Sequence, residues 1–119
     1  MRHHAVLIVA GDPLASALLG AAVEQAGCVP HFPQPGEAPR AALRRMRPRL
    51  VLVSCDHPEA CSDAFIGPAL MTGAAVLVIQ TRDASSETRD VVERLDLTVV
   101  DLSTDTEALA RCLRALDED

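Results

Sequence analysis

The stretch Leu50-Val51-Leu52-Val53-Ser54-Cys55-Asp56 decides the fold. Its aliphatic residues run without alternation, the habit of a strand buried on both faces of a parallel sheet. The run stops abruptly in three polar or reactive residues. In an open parallel sheet, ligands bind just beyond the carboxyl ends of the strands. Ser54, Cys55 and Asp56 therefore occupy the place where chemistry is expected.

Working outward, Ala5-Val6-Leu7-Ile8-Val9-Ala10 and Ala75-Val76-Leu77-Val78-Ile79-Gln80 read as two more strands of the same kind. Cys28-Val29-Pro30-His31-Phe32 is a weaker strand, placed at an edge because proline cannot donate to a ladder. Leu97-Thr98-Val99-Val100 is the last. Helices separate them. Asp12 is a good N-cap, and Pro13 fits the first helical position. Leu14, Ala17, Leu18, Ala21, Ala22 and Gln25 follow at helical spacing and predict the face that packs on the sheet, with Gly27 as the stop. A second helix spans 37–46 with Pro39 in its first turn. Its Arg40, Arg44 and Arg45, with Arg47, make a basic patch read as a solvated face. Ser62 or Asp63 caps a third helix through Ala64, Phe65, Ile66, Ala69 and Leu70; Pro68 predicts a kink or a short, broken helix, and Thr72-Gly73 ends it. A polar helix spans 86–94, with Val91, Val92 and Leu95 as its few anchors. Thr104-Asp105-Thr106-Glu107 has capping-box spacing and opens a final helix carrying Leu109, Cys112, Leu113 and Leu116. Five strand–helix units imply an α/β fold: a parallel sheet with helices on both faces, right-handed crossovers and flavodoxin-like order 2-1-3-4-5.

The 119 residues suit one domain, 1–119, with no output domain and no linker or repeat. Apolar residues make up 49% and aromatics 2%, without Trp or Tyr, so the expected core is aliphatic. No apolar run reaches the length of a membrane span. Met1-Arg2-His3-His4 leads into too short an apolar run for a signal peptide, and a cytoplasmic protein is expected. Net charge is −6, against nucleic-acid binding by the surface at large. All 11 basic residues are Arg; without Lys, every mechanism that needs a lysine amine is excluded. Cys28, Cys55, Cys61 and Cys112 include no C-x-x-C pair and read as free thiols.

Three phrases carry a resemblance. They are Val6-Leu7-Ile8-Val9, Pro48-Arg49-Leu50-Val51-Leu52-Val53, and Val99-Val100 before a capped helix. In order and spacing they resemble the receiver domain of bacterial two-component response regulators, over nearly the whole chain. The resemblance implies phosphorelay chemistry: an acidic pair holding Mg²⁺, a nucleophilic Asp, a hydroxyl near the phosphate and a Lys to offset developing charge. The acidic pair falls on Ala10 and Gly11, with Asp12 next to them. The nucleophile falls on Ser54. The hydroxyl falls on Gln80, with Thr81 one place late. The lysine falls on Asp101, followed by Leu102 in place of the usual proline, and the aromatic switch falls on Thr98. The scaffold persists while each reagent is replaced, which implies an atypical, or pseudo-receiver, module without conventional phosphotransfer.

Other groupings of reactive residues are present. Asp12, Asp56 and Asp101 follow strand ends and offer displaced carboxylates for a divalent metal or a phosphoryl switch; the simpler reading is capping and turns. Cys55, Asp56, His57 and Cys61 offer a thiol or soft-metal sensor built on the two cysteines. Ser54 with His57 lacks the G-x-S-x-G elbow of a nucleophilic serine. His3 and His4 read as an exposed terminus. The sequence supports no dinucleotide site, cofactor or catalytic residue. The resemblance implies output through the fourth helix, fifth strand and fifth helix, a face carrying Arg89, Glu93, Arg94, Asp105, Ala108 and Arg111. Its mixed charge suits a protein partner or a second copy of the chain, with neither nucleic acid nor membrane involved.

Overall fold

The computed structural model describes residues 4–57, 59–80, 86–101 and 106–115. Five strand–helix units follow one another: β1 (Ala5–Val9), α1 (Pro13–Gln25), β2 (Val29–His31), α2 (Pro39–Met46), β3 (Leu50–Ser54), α3 (Asp63–Met71), β4 (Ala75–Gln80), α4 (Ser86–Arg94), β5 (Thr98–Asp101) and α5 (Thr106–Ala115). The strands form one sheet in the order β2-β1-β3-β4-β5, and every pairing is parallel. Pro30 lies in β2, at the edge, opposite Val6. No helix among the described residues is long and apolar enough to cross a membrane.

β3 lies in the middle, buried throughout. Its side chains alternate between two cores. Val51 and Val53 join Leu7, Val78, Phe65 and Ile66 on one side. Leu50 and Leu52 join Ile8, Leu19, Val23, Ile79, Leu109 and Leu113 on the other. Phe65 is fully buried, so the core is not purely aliphatic.

The inward face of α1 differs from the one its spacing predicts. Ala15, Leu19, Gly20 and Val23 are buried. Leu14 is 66% exposed and Leu18 51% exposed, and Ala17 and Ala21 are exposed with them. The helix carries apolar residues almost all round, so two stripes compete, and the one with Leu19 and Val23 packs into the core. Gly20 also faces the neighbouring segment: a Cβ there would sit 3.3 Å from the Phe32 ring. The caps follow expectation. Asp12 Oδ1 accepts from Leu14 N at 3.1 Å, and Gly27 has φ +85°, which glycine adopts readily.

Other boundaries shift for local reasons. α2 starts at Pro39 and is not side-chain capped; Arg47, in the left-handed region, ends it. Glu37 stays outside the helix and pairs with Arg45 through two hydrogen bonds, 2.9 and 2.8 Å. That contact and the Gln34 N–H lower its pKa to about 2. α3 runs unbroken through Pro68 over nine residues. Ser62 stands at its N-cap position, but its hydroxyl donates to the Glu59 carbonyl at 2.6 Å. β5 includes Asp101, paired with Gln80, so Asp101 ends the strand and does not begin the loop. His4 is 9% exposed and not a free terminus: its carbonyl accepts from Val29 N at 2.9 Å, and the Arg49 guanidinium lies 3.4 Å from its ring. The capping box at Thr104 and the anchor Leu116 lie outside the described residues.

The rotation of α1 makes a sharp contrast between adjacent leucines. Leu19→Ala is expected to cost about 3 kcal/mol by cavity formation, and Leu18→Ala less than about 0.5 kcal/mol. Urea denaturation of the two variants measures the difference.

Candidate functional site

The loops after β1 and β3 meet at the carboxyl edge of the sheet. Gly11 N donates to Asp56 Oδ1 at 3.1 Å, and Asp12 N donates to Asp56 Oδ2 at 2.8 Å. Both carboxylate oxygens of Asp56 are thus engaged by neighbouring backbone. The approach is close: a Cβ on Gly11 would lie 3.0 Å from the Asp56 carbonyl oxygen, which would have to give by a few tenths of an ångström. Asp12 turns its own carboxylate onto Leu14 N, and its carbonyl accepts from Ser16 N at 3.0 Å. Asp12 and Asp56 are therefore joined through the Asp12 N–H, while each carboxylate is turned onto backbone N–H groups.

Partial burial pushes the Asp56 pKa up. The Ser54 hydroxyl and the Gly11 and Asp12 N–H groups outweigh it and hold the carboxyl below the ordinary aspartate value. Ser54 itself is fully buried. Its hydroxyl lies near enough to favour the Asp56 charge, yet it is not aligned well enough for a hydrogen bond to any described group. Ala10 is half-buried at the end of β1. Thr81, the alternative hydroxyl, lies outside the described residues.

His57 organises the turn that follows. Its N–H donates to the Ser54 carbonyl at 3.1 Å, and its carbonyl accepts from Cys61 N at 3.0 Å. Its Nδ1 accepts from Ala60 N at 3.2 Å. An imidazole whose Nδ1 accepts there carries its proton on Nε2 when neutral. No hydrogen bond joins Ser54 Oγ to this ring, so a serine–histidine pair is not formed. Cys61 is buried in the core, whereas Cys55 is half-buried. Among the described residues no three His, Cys, Asp or Glu side chains converge in a way that would hold a metal ion. Cys55 instead lines a cavity of about 110 Å³ with Val78, Gln80, Arg89, Val92, Glu93 and Val99.

The anticipated output face is only partly assembled. Arg89 and Glu93 border that cavity. Arg94 turns toward α3, where it meets Asp63 at 2.7 Å, and it also contacts Asp90 at 3.4 Å. Ala108 is half-buried and Arg111 exposed on α5, while Asp105 lies outside the described residues. Sequence reading missed the tie from Asp56 to Gly11. The only signal for it was a glycine placed immediately after a buried strand and before a helix cap.

Two measurements test this network. Asp56→Ala is expected to lower stability by on the order of 1 kcal/mol, the value of charge-assisted hydrogen bonds discounted for exposure. The Asp56 pKa is lowered from 3.8 in the folded chain, so its contribution is present above that value and lost as pH falls through the lower folded one. Urea titrations from pH 6 down to about pH 2 should show that loss in the parent and a flatter profile in Asp56→Asn.

No family model matches the sequence, and no curated protein does. Solved structures do. Chemotaxis protein CheY4 of Vibrio cholerae superposes with a TM-score of 0.72 at 16% identity, covering 96% of this chain and 98% of that one. The signal receiver domain of a modulated diguanylate cyclase from Desulfovibrio desulfuricans G20 gives 0.69 at 23% identity, covering 92% and 90%. The isolated receiver domain of RcsB from Salmonella enterica serovar Typhimurium, solved with the phosphomimetic BeF3⁻, gives 0.68 at 16% identity, covering 98% and 90%. With five parallel strands in the order 2-1-3-4-5, the chain has the flavodoxin-like fold of a response-regulator receiver domain.

Proposed function

We propose that the chain is a receiver-like signalling module that acts by binding a protein partner, without conventional aspartyl phosphorylation. The observation that carries this reading is the state of the carboxyl edge. Asp56 is held by Gly11 and Asp12 N–H groups, and the position of the phospho-accepting residue is a fully buried serine. The charge argument agrees. Phosphoryl transfer needs cations around the developing anion, and the chain contains no lysine to supply one at the position of Asp101. Regulation then comes from partner binding. The surface around α4, β5 and α5, with Arg89, Glu93 and Arg111 exposed, has the mixed charge that favours specificity.

A second reading rests on the meeting of Asp12 and Asp56, which places two displaced carboxyl groups at one edge. It needs both to leave their backbone partners for a divalent cation and a phosphoryl group.

Incubation with acetyl phosphate and Mg²⁺, followed by intact-mass measurement, separates the two. The proposal expects no covalent phosphoryl group on the protein. A stable adduct at Ser54 or Asp56 overturns it. Mg²⁺-dependent chemical-shift changes centred on the Asp12 and Asp56 amides would favour the second reading.

A further inference from the structure

A surface helix ordinarily shows an apolar stripe inward and charges outward; a helix apolar all round is ordinarily buried. α1 breaks that pattern. No ionisable residue lies between Asp12 and Glu24. Its outer face presents Leu14 and Leu18, 66% and 51% exposed, with exposed Ala17 and Ala21 between and beside them. The other helices differ. α2 exposes Arg40, Arg44 and Arg45, α4 exposes Arg89, Asp90, Glu93 and Arg94, and α5 exposes Glu107, Arg111 and Arg114. α3 exposes Met71 at 88% at its last position, and carries at its first an acidic residue, Asp63, paired with Arg94.

We infer that the outer face of α1 is the contact surface of a symmetric dimer in which α1 packs antiparallel on α1 of a second copy. Three features on the helix favour this occupant. The first is shape. In a two-fold antiparallel pairing centred between Ala17 and Leu18, Leu14 stands opposite Ala21 and Leu18 opposite Ala17. Every large side chain meets a small one, and the patch is its own complement, as an isologous interface requires. The second is charge. Two chains of net charge −6 repel one another. An uncharged helix face lets them meet without burying like charges. The third is the dipole. Glu24 lies in the last turn of α1, where no basic residue accompanies it and the helix end is negative. In the antiparallel pair it stands beside the positive N-terminal end of the partner's α1. Asp12 at that end is already turned onto Leu14 N.

Sedimentation velocity across a wide concentration range tests the pairing. The parent chain is expected to shift from monomer to dimer as concentration rises. Leu18→Glu buries an unpaired charge at the centre and should weaken association by roughly 100-fold or more, and Leu14→Glu should act in the same direction. Both positions are exposed, so circular dichroism and urea midpoint should hold steady. Met71→Glu, on the opposite layer, should leave the dimer intact. A chain that stays monomeric up to millimolar concentration overturns the inference and leaves the α1 face to a segment of another protein. A dimer that survives both leucine substitutions, or that Met71→Glu dissociates, overturns it as well by moving the contact elsewhere.

Discussion

Burial of β3 on both faces is the constraint on which the rest depends. A strand flanked by two others and sandwiched between helix layers has no side facing water, so each of its residues must be apolar or internally satisfied. Leu50 to Val53 meet that demand with aliphatic side chains divided between the two cores. The demand ends where the strand ends, and polar residues enter at once. Ser54 is the transition: still fully buried, already polar, and dependent on Asp56 above it for an electrostatic counterpart. The sheet edge is thus a boundary at which hydrophobic packing hands over to a backbone-anchored carboxylate.

How legible each element was depends on how strongly burial constrained it. β1, β3 and β4 are buried along nearly all their length, and unbroken aliphatic runs leave little room for another reading. β5 was harder, because its last residue is fixed by pairing with Gln80 and not by its own character. α1 misled for a definite reason. With Leu and Ala on all sides, sequence periodicity supports two faces equally, and only the packing of Leu19 and Val23 against the sheet distinguishes them. His4 and Arg49 are 45 positions apart, and nothing local to either announces their contact.

The site was legible by type but not by role. Asp12 and Asp56 could be found as carboxyl groups beyond strand ends. That Asp56 reaches across to the β1–α1 loop follows from the geometry of two backbone segments, which no spacing rule encodes. His57 shows the same limit: the sequence gives no support for a serine–histidine pair with Ser54, yet nothing in it announces that the ring accepts from Ala60 N and closes a turn. Reactive residue types at a reactive location were serving backbone architecture.

The glycine at position 11 is where two loops press close together. Any side chain introduced there begins 3.0 Å from the carbonyl oxygen of Asp56, so the loop that follows β3 would have to give by a few tenths of an ångström. The loops after β1 and β3 are thus mechanically coupled: a displacement of either one changes the fit of the other.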